Sequence, residues 1–450
     1  MSAIPSEVAR SYGDLPNSWR LGKLKFSARV RNSNVDKKTE DGEEPVRLCN
    51  YTDVYYNDRI TPDMDFMEAT ATESEIERFT LKQGQVIITK DSEGWDDIGI
   101  PAYVTEDMPG VLCGYHLSVL EPDGESLDGA FLSWLCRADP LNDQFKLGSN
   151  GVTRYGLGQY PLKSSFIPLP DIDTQRRIAG YLDDKTARID ALIEKKWALL
   201  DRLAEKRQAL ITRAVTRGLN PAAPLKDSGV DWLGQVPAHW EVWPLKRYLT
   251  ESQYGISEAL SEAGEVAILR MGNIQNLGVD LTELKFVDEV APFLLLQDND
   301  VLFNRTNSID LVGKSAIYKG TYDGALSFAS YLARFRFDGR YLPEFANFVF
   351  GTEQLLEYAR TMAFRAIGQA NLNPTRFAEI ALPVPPVDEQ KAIIEFLTPH
   401  GEQTEAVTSQ ITTSIEKLTE YRAALVTAAV TGKIRALLTD PAPAALIEEA

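Results

Sequence analysis

Sulfur and imidazole are scarce in this chain. Its 450 residues include only three cysteines, Cys49, Cys113 and Cys136, an odd number without paired metal-ligand spacing. That excludes a disulfide framework and reads as reduced thiols. The three histidines, His116, His239 and His400, are scattered, so no His/Cys metal site of ordinary spacing is expected. There is no run of about 18 apolar residues, and the leading MSAIPSEVAR has no apolar signal core. A soluble, unexported, cytoplasmic chain with no membrane partner is expected.

Catalytic motifs are missing as well. No GxxxxGK[ST] phosphate loop occurs, which excludes a nucleotide-driven motor of that type. Gly156-Leu157-Gly158 lacks the third glycine of a dinucleotide fold and reads as a turn. No Asn/Asp-Pro-Pro-aromatic tetrapeptide of an amino-methyltransferase is present, and Asn373-Pro374-Thr375-Arg376 does not qualify. The Glu-x-Lys at Glu194–Lys196 lies inside a heptad run, where such charges ordinarily form exposed i,i+4 pairs. No Ser-His-Asp or Cys-His set can be nominated. The expectation is a recognition protein without catalysis, metal or cofactor of its own.

Positive charge is short overall: the net charge is −18, which argues against a uniformly basic nucleic-acid binder. The deficit is uneven. Residues 1–150 carry 15 Lys and Arg against 27 Asp and Glu, whereas residues 151–220 carry 13 against 8. Any contact with phosphate must therefore come from local clusters.

What the chain does have is a large internal repeat. IPLPDIDTQRRIAGYL (Ile167–Leu182) and LPVPPVDEQKAIIEFL (Leu382–Leu397) share their prolines and Asp173/Asp388, Gln175/Gln390, Ile178/Ile393 and Leu182/Leu397 at an offset of 215. The same offset relates RLAEKRQALITRAVTRG (Arg202–Gly218) to KLTEYRAALVTAAVTGK (Lys417–Lys433). Upstream, Pro16, Trp19, Leu24 and Lys25 match Pro237, Trp240, Leu245 and Lys246. This is a tandem duplication and not a solenoid of short units.

Each repeated tail predicts a helix of about 45 residues, roughly 65 Å long, with Asp173 or Asp388 as N-cap after a Pro-rich run that cannot be helical. A heptad seam is predicted through Ile178, Leu182, Ile189, Leu192, Leu199, Leu203 and Leu210, and through Ile393, Leu397, Val407, Ile411, Leu418 and Leu425. Ile193, Leu200, Ile211 and Val215 form a second apolar row. The two helices are expected to pair as an antiparallel coiled coil. Before each tail lies an irregular block rich in short β-like runs, such as GQVIIT (Gly84–Thr89) and DVLFN (Asp300–Asn304). The fold expected is α+β: two mixed α/β domains joined by two long helices, with a pseudo-two-fold internal repeat. Its divisions are residues 1–166, a helical spacer 167–217, linker and second domain 218–381, a second spacer 382–434, and a tail 435–450.

Recognition chemistry is the remaining candidate. Arg305, with Asn304, Thr306, Asn307 and Lys314, follows a predicted strand, and Lys90 takes the place of Arg305 in the first copy, with Gly99 opposite Gly313. Arginine and asparagine suit two-pronged contact with base edges, and lysine suits phosphate. Arg29, Arg31, Lys37, Lys38, Arg334, Arg336 and Arg365 are further candidates for DNA contact.

The arrangement resembles the specificity subunit of type I restriction-modification enzymes, a host-defence system. The resemblance rests on two variable blocks, each closed by P-x-P-x-x-[DE]-x-Q-x-x-I and a long helix. It rests also on DSGVDWLGQVPAHW (Asp227–Trp240) and AIGQANLNPTRFAEIALPVPPVDEQ (Ala366–Gln390). The first copy is looser: Gly158-Gln159 stands for Gly368-Gln369, and nothing there matches NLN. The resemblance implies target-recognition domains that each read half of a bipartite double-stranded DNA site. It implies helices that set the spacing and dock two modification (methyltransferase) subunits, with restriction/translocase subunits joining through the complex. S-adenosylmethionine, ATP and Mg would then belong to those partners. Two classes compete: a protein–protein adaptor, or a relic of this architecture that no longer reads DNA, and an independent enzyme such as a fused methyltransferase-nuclease, against which the absent motifs speak.

Overall fold

The computed structural model describes residues 4–366 and 368–438; residues 439–450 of the expected tail lie outside them. The chain forms two compact units, one built from residues up to Lys196 together with the stretch from Thr413, the other from Trp197–Thr412. Among the described residues no helix is long and apolar enough to cross a membrane. All three cysteines are buried and free, and burial pushes the Cys113 and Cys136 thiols up to about 12.

In the first unit a five-stranded sheet runs in the order Ala28–Asn32, Leu117–Pro122, Val86–Thr89, Pro101–Val104, Arg59–Ile60. Its centre is the run Val-Ile-Ile-Thr at 86–89, buried on both faces, as an uninterrupted β-branched stretch dictates. A four-stranded sheet packs beside it, with Met108–Cys113 parallel to Glu44–Cys49. In the second unit the sheet order is Leu249–Tyr254, Leu332–Phe337, Val301–Asn304, Ser315–Ile317, Leu277–Val279, Ile274–Gln275. Its first three strands take the places of the first three in the other unit. A smaller sheet again pairs two strands in parallel, Val266–Leu269 with Ala325–Phe328. The Pro-rich runs are strands: Phe166–Leu169 pairs antiparallel with Arg20–Lys23, and Ala381–Val384 with Glu241–Pro244. Each therefore closes its domain immediately before a long helix begins.

Those helices are Ile172–Arg217 and Val387–Val430. In the first unit Leu182, Ile189 and Ile193 of the first helix share a core with Leu418, Leu425 and Val426 of the second. In the second unit Leu210, Ile211 and Val215 share one with Ile393 and Leu397. The start of each helix thus meets the end of the other, so the pair is antiparallel.

The seam departs from the expected row. Ile178, Leu182 and Ile189 are buried, but Leu192 and Leu199 are 44 % and 45 % exposed, and Leu203 and Leu210 are half-buried. The buried face slides by one position, to Ile193, Leu200 and Ile211. A strict seven-residue pattern drifts by about 20° per heptad on a straight helix, enough to turn the row out of the interface midway. In the second helix Ile393, Leu397, Ile411 and Leu425 are buried, and Val407 and Leu418 half-buried. Pro399 lies within this helix, where it removes one backbone donor.

The caps differ too. The first helix is capped by Asp171, whose carboxylate accepts the Thr174 N–H at 2.8 Å and the Thr174 hydroxyl at 2.7 Å; Asp173 lies within the first turn. At the second start the Pro386 carbonyl accepts the N–H groups of Glu389 and Gln390, and Asp388 is left within the first turn. The reason is local: the helices start in the same register, at Ile172 and Val387, but Pro386 stands where Asp171 does and has no side-chain acceptor to offer.

The repeated glutamines do the same work in both copies. Gln175 is fully buried; its Nε2 donates to the carbonyls of Ser126 and Pro170 and its Oε1 accepts the Asp128 N–H. Gln390, also fully buried, donates to the carbonyls of Arg340 and Pro385 and accepts the Leu342 N–H. Each helix start is thus pinned to the loop that follows strand Leu117–Pro122 or Leu332–Phe337 of its domain.

Gln175→Ala and Gln390→Ala should each destabilise their own unit by about 1–3 kcal/mol, because buried backbone groups lose their partner. Urea unfolding and hydrogen exchange at the two helix starts would measure this; unchanged exchange in both would contradict it. The Asp171 cap adds a pH dependence. Its hydrogen bonds from Thr174 hold the carboxyl below the ordinary range, so its contribution is complete above about pH 4 and is lost as pH falls through the lowered value. Asp171→Ala should cost about 1 kcal/mol near neutrality, and the gap to the parent should close below that range in a pH series of unfolding midpoints.

Candidate nucleic-acid interface

Arg305 follows the buried strand Val301–Asn304. Its N–H donates to the Tyr331 carbonyl at 3.0 Å and its own carbonyl accepts the Leu372 N–H at 2.7 Å. In the other unit Lys90 follows Val86–Thr89; its N–H donates to the His116 carbonyl at 3.0 Å and its carbonyl accepts the Leu157 N–H at 2.7 Å. All three partners stand 215 residues apart. Gly99 donates to the Thr89 carbonyl as Gly313 does to that of Asn304, with φ of +77° and +92°. The two domains hold one cationic side chain in the same backbone cradle.

The side chains are supported alike. Arg305 Nη1 donates to the Ser330 carbonyl at 3.0 Å, and the guanidinium lies 4.8 Å from the centre of the Tyr254 ring. Lys90 Nζ donates to the Ser33 carbonyl at 3.0 Å and lies 5.5 Å from the Tyr115 ring. Burial lowers the Lys90 pKa. Around Arg305, Asn371 accepts from its Nη2 at 3.4 Å and donates to the Thr306 hydroxyl at 2.8 Å. Asn304 Oδ1 and Arg305 Nε are buried without a hydrogen-bond partner. Tyr254, Tyr331 and Phe364 are exposed nearby in sequence or strand order, with Arg365 exposed and Asn307 half-buried. Lys314 is exposed, and its carbonyl accepts the Asn304 N–H. Beside Lys90, Asp91 Oδ2 lies 2.9 Å from His116 Nδ1, and the rings of Tyr115 and His116 are 3.7 Å apart.

The Leu157 and Leu372 contacts correct one equivalence. Leu157 and Leu372 occupy the same place, so Gly158, which precedes helix Gln159–Ser164, corresponds to Asn373, which caps Pro374–Phe377. Gly368-Gln369 instead belongs to a hairpin between Phe364–Ala366 and Gln369–Asn371, which pairs with Thr306–Asn307. In the first unit only Tyr155–Gly156 pairs with Asp91–Ser92.

Two of the nominated arginines are internal. Arg334 is fully buried; Nη2 donates to Glu251 at 2.7 Å and Nη1 to the Leu295 carbonyl at 3.1 Å. Arg336 donates to both oxygens of Asp300 at 2.6 and 3.0 Å and to Glu251. They neutralise a buried carboxylate on the sheet and hold its edge strand, which removes Arg334 from any surface contact. An alternating strand pattern does not distinguish such an arginine from a solvent-facing one.

Arg29 and Arg31 lie on the edge strand Ala28–Asn32, where Arg31 pairs with Glu121 at 2.9 Å and Arg29 is exposed. Lys37 and Lys38 are exposed in the following loop. Sequence reasoning missed Lys25, Arg78 and Lys163, which with Arg29 and Arg31 line a groove of about 770 Å³. No pattern signals it, because its cations come from three separate segments, and Glu121 and Asp123 line it too. Among the described residues no cluster of His, Cys, Asp and Glu could hold a metal ion.

With this geometry in hand, the comparisons with known proteins converge. The model of the type I restriction modification DNA specificity domain matches residues 45–201 and 254–417. The chain belongs to this family. It is 27 % identical over 173 residues to the type I restriction enzyme MjaX specificity subunit of Methanocaldococcus jannaschii, covering 37 % of this chain and 40 % of the relative. It is 26 % identical over 218 residues to the StySPI specificity subunit of Salmonella potsdam, covering 46 % of each. The chain therefore spans less than half of either curated relative in alignment. A chain solved in work on complex assembly and conformational transition of the type I R-M system superposes with a TM-score of 0.72 at 17 % identity, covering 94 % of this chain and all of that one. The HsdS subunit from Thermoanaerobacter tengcongensis gives 0.52 at 18 %, covering 93 % and 98 %. At these identities the likeness is one of fold.

Arg334→Ala, which empties a fully buried site and leaves the Leu295 carbonyl without that donor, should cost about 1–3 kcal/mol. Arg305→Ala should cost no more than about 1 kcal/mol, since its hydrogen bonds are near the surface. Comparative denaturant unfolding would test the contrast, and equal losses would remove the distinction drawn between them.

Proposed function

We propose that this chain is the DNA-reading subunit of a type I restriction-modification complex, each unit reading one half of a bipartite double-stranded site. The observation that carries this reading is the duplicated cradle at Lys90 and Arg305: one position, fixed identically twice, beside loops whose sequences differ. A duplicated scaffold with divergent loops suits two different half-sites. Arg305, Asn307, Asn371 and Arg365 supply donors and acceptors of the kind that read base edges. The groove of Lys25, Arg29, Arg31, Arg78 and Lys163 supplies phosphate contact on a chain that is acidic overall.

The antiparallel helices hold the two readers at a set distance, so that two weak half-site contacts add only when the spacing matches. In this reading they also dock two modification subunits. Methyl transfer from S-adenosylmethionine, and ATP- and Mg-dependent translocation and cleavage by restriction/translocase subunits, are partner chemistry. The chain itself is a non-catalytic, cytoplasmic recognition subunit. An adaptor that does not read DNA is favoured by the net charge of −18 alone, and would yield no sequence-dependent binding.

Modified-base sequencing of a host expressing the chain with its modification subunit should return a two-part motif. Arg305→Ala should degrade one half of that motif and Lys90→Ala the other, each weakening site-specific retardation by about 1–3 kcal/mol. Loss confined to the same half in both variants, or no two-part motif in the parent, would refute the reading.

A further inference from the structure

Arg207 and Arg422 stand 215 residues apart, the repeat interval, on the first and second long helices respectively. In the first unit Arg422 Nε and Nη2 donate to the two oxygens of Asp190 at 2.8 and 3.1 Å, and Nη2 also donates to Asp58 at 2.8 Å. In the second unit Arg207 Nη2 donates to Glu405 at 3.3 Å and to the Asn276 carbonyl at 3.5 Å. Asp190 and Glu405 are themselves 215 apart. In each unit, then, one guanidinium joins three bodies: its own helix, the opposite helix, and the recognition domain beside them.

The domain side of each contact is built with care. Asp58 also accepts from Arg137 at 2.9 Å, and both Arg137 and Arg422 lie over the Trp134 ring, 5.9 and 5.8 Å from its centre. Trp134 Nε1 and Arg59 donate in turn to Asp183 of the first helix. Asn276 sits in a two-residue hairpin turn with Leu277, both at positive φ, +50° and +67°. A branched side chain adopts that conformation only when its surroundings compel it. Here the Leu277 carbonyl accepts from Asn347 at 2.6 Å, and its side chain occupies the space a Cβ on Gly351 would need. The strained turn aims the Asn276 carbonyl at Arg207.

We propose that Arg207 and Arg422 are positioning residues that set the angle of each recognition domain on the helix pair and so select the length of the DNA spacer between half-sites. This rests on the bipartite reading above. One added base pair moves a half-site by about 3.4 Å and turns it by roughly 35°, so a domain held by a three-way clamp rejects it while a loosened one accepts it. Half-exposed ion pairs add little to stability, so the effect is one of geometry.

The test is modified-base mapping with the full chain and its modification subunit, comparing the parent with Arg422→Ala, Arg207→Ala, Arg422→Lys and the exchanged pair Asp190→Arg/Arg422→Asp. Expected is retention of both half-site sequences, with sites one base pair longer or shorter in spacer modified at least about tenfold more often than in the parent. The exchanged pair restores the helix–helix bond but sets a carboxylate against Asp58, so it should remain relaxed. If Arg422→Ala does not fold by thermal unfolding, Arg422→Lys and Arg207→Ala carry the reading. Strict parental spacing in the folded variants, or full restoration by the exchange, overturns the clamp. A parent without a two-part motif fails the functional reading instead, a distinct result.

Discussion

The structure depends on a buried amide used twice. Gln175 and Gln390 each satisfy three backbone groups that would otherwise be stranded where a strand ends, a loop returns and a helix begins. A side chain with both a donor and an acceptor end is needed, since the loop offers a carbonyl and an N–H that face the same point. Neither glutamate nor an apolar residue could serve both. Because the helix start is held there, its direction relative to the sheet of its own domain is fixed at that point.

From that anchor the same construction is repeated at the other end of each helix. The first long helix ends at Gly218, whose positive φ and missing Cβ admit the buried Trp240 ring; Trp240 Nε1 then donates to Glu389, one residue before the glutamine of the second helix start. In the other unit Gly432 admits Trp19 and Pro16. The Pro-x-x-Trp lead-in of each domain is therefore the receptor for a helix end, which explains why it is repeated although no chemistry is evident in it.

Charge follows a comparable logic. The acidic total conceals three kinds of arginine: Arg334 and Arg336 neutralise carboxylates inside a sheet, Arg207 and Arg422 bridge helices and domain, and Arg305 rests on a tyrosine face near the surface. Of these three kinds, the last is the one whose hydrogen-bond acceptors among the described residues, the Ser330 carbonyl and Asn371, are all neutral.

The sequence by itself determined the duplication, the two long helices, their antiparallel pairing and the α+β class, because periodicity and repeated punctuation are local signals that survive any tertiary arrangement. It also located the Lys90/Arg305 position, through the constant offset of 215. Tertiary structure decided the rest. Which side of each helix is buried depended on the accumulated drift of a 3.6-residue helix, so Leu192 and Leu199 turned outward and Ile193 and Leu200 inward. Which arginines reach the surface depended on where Asp300 and Glu251 stand, the latter 83 residues from Arg334. The basic groove, the Tyr254 and Tyr115 platforms and the clamps at Arg207 and Arg422 are juxtapositions of distant segments. Spacing along a chain carries no trace of such meetings, since it records only neighbours that are local in sequence.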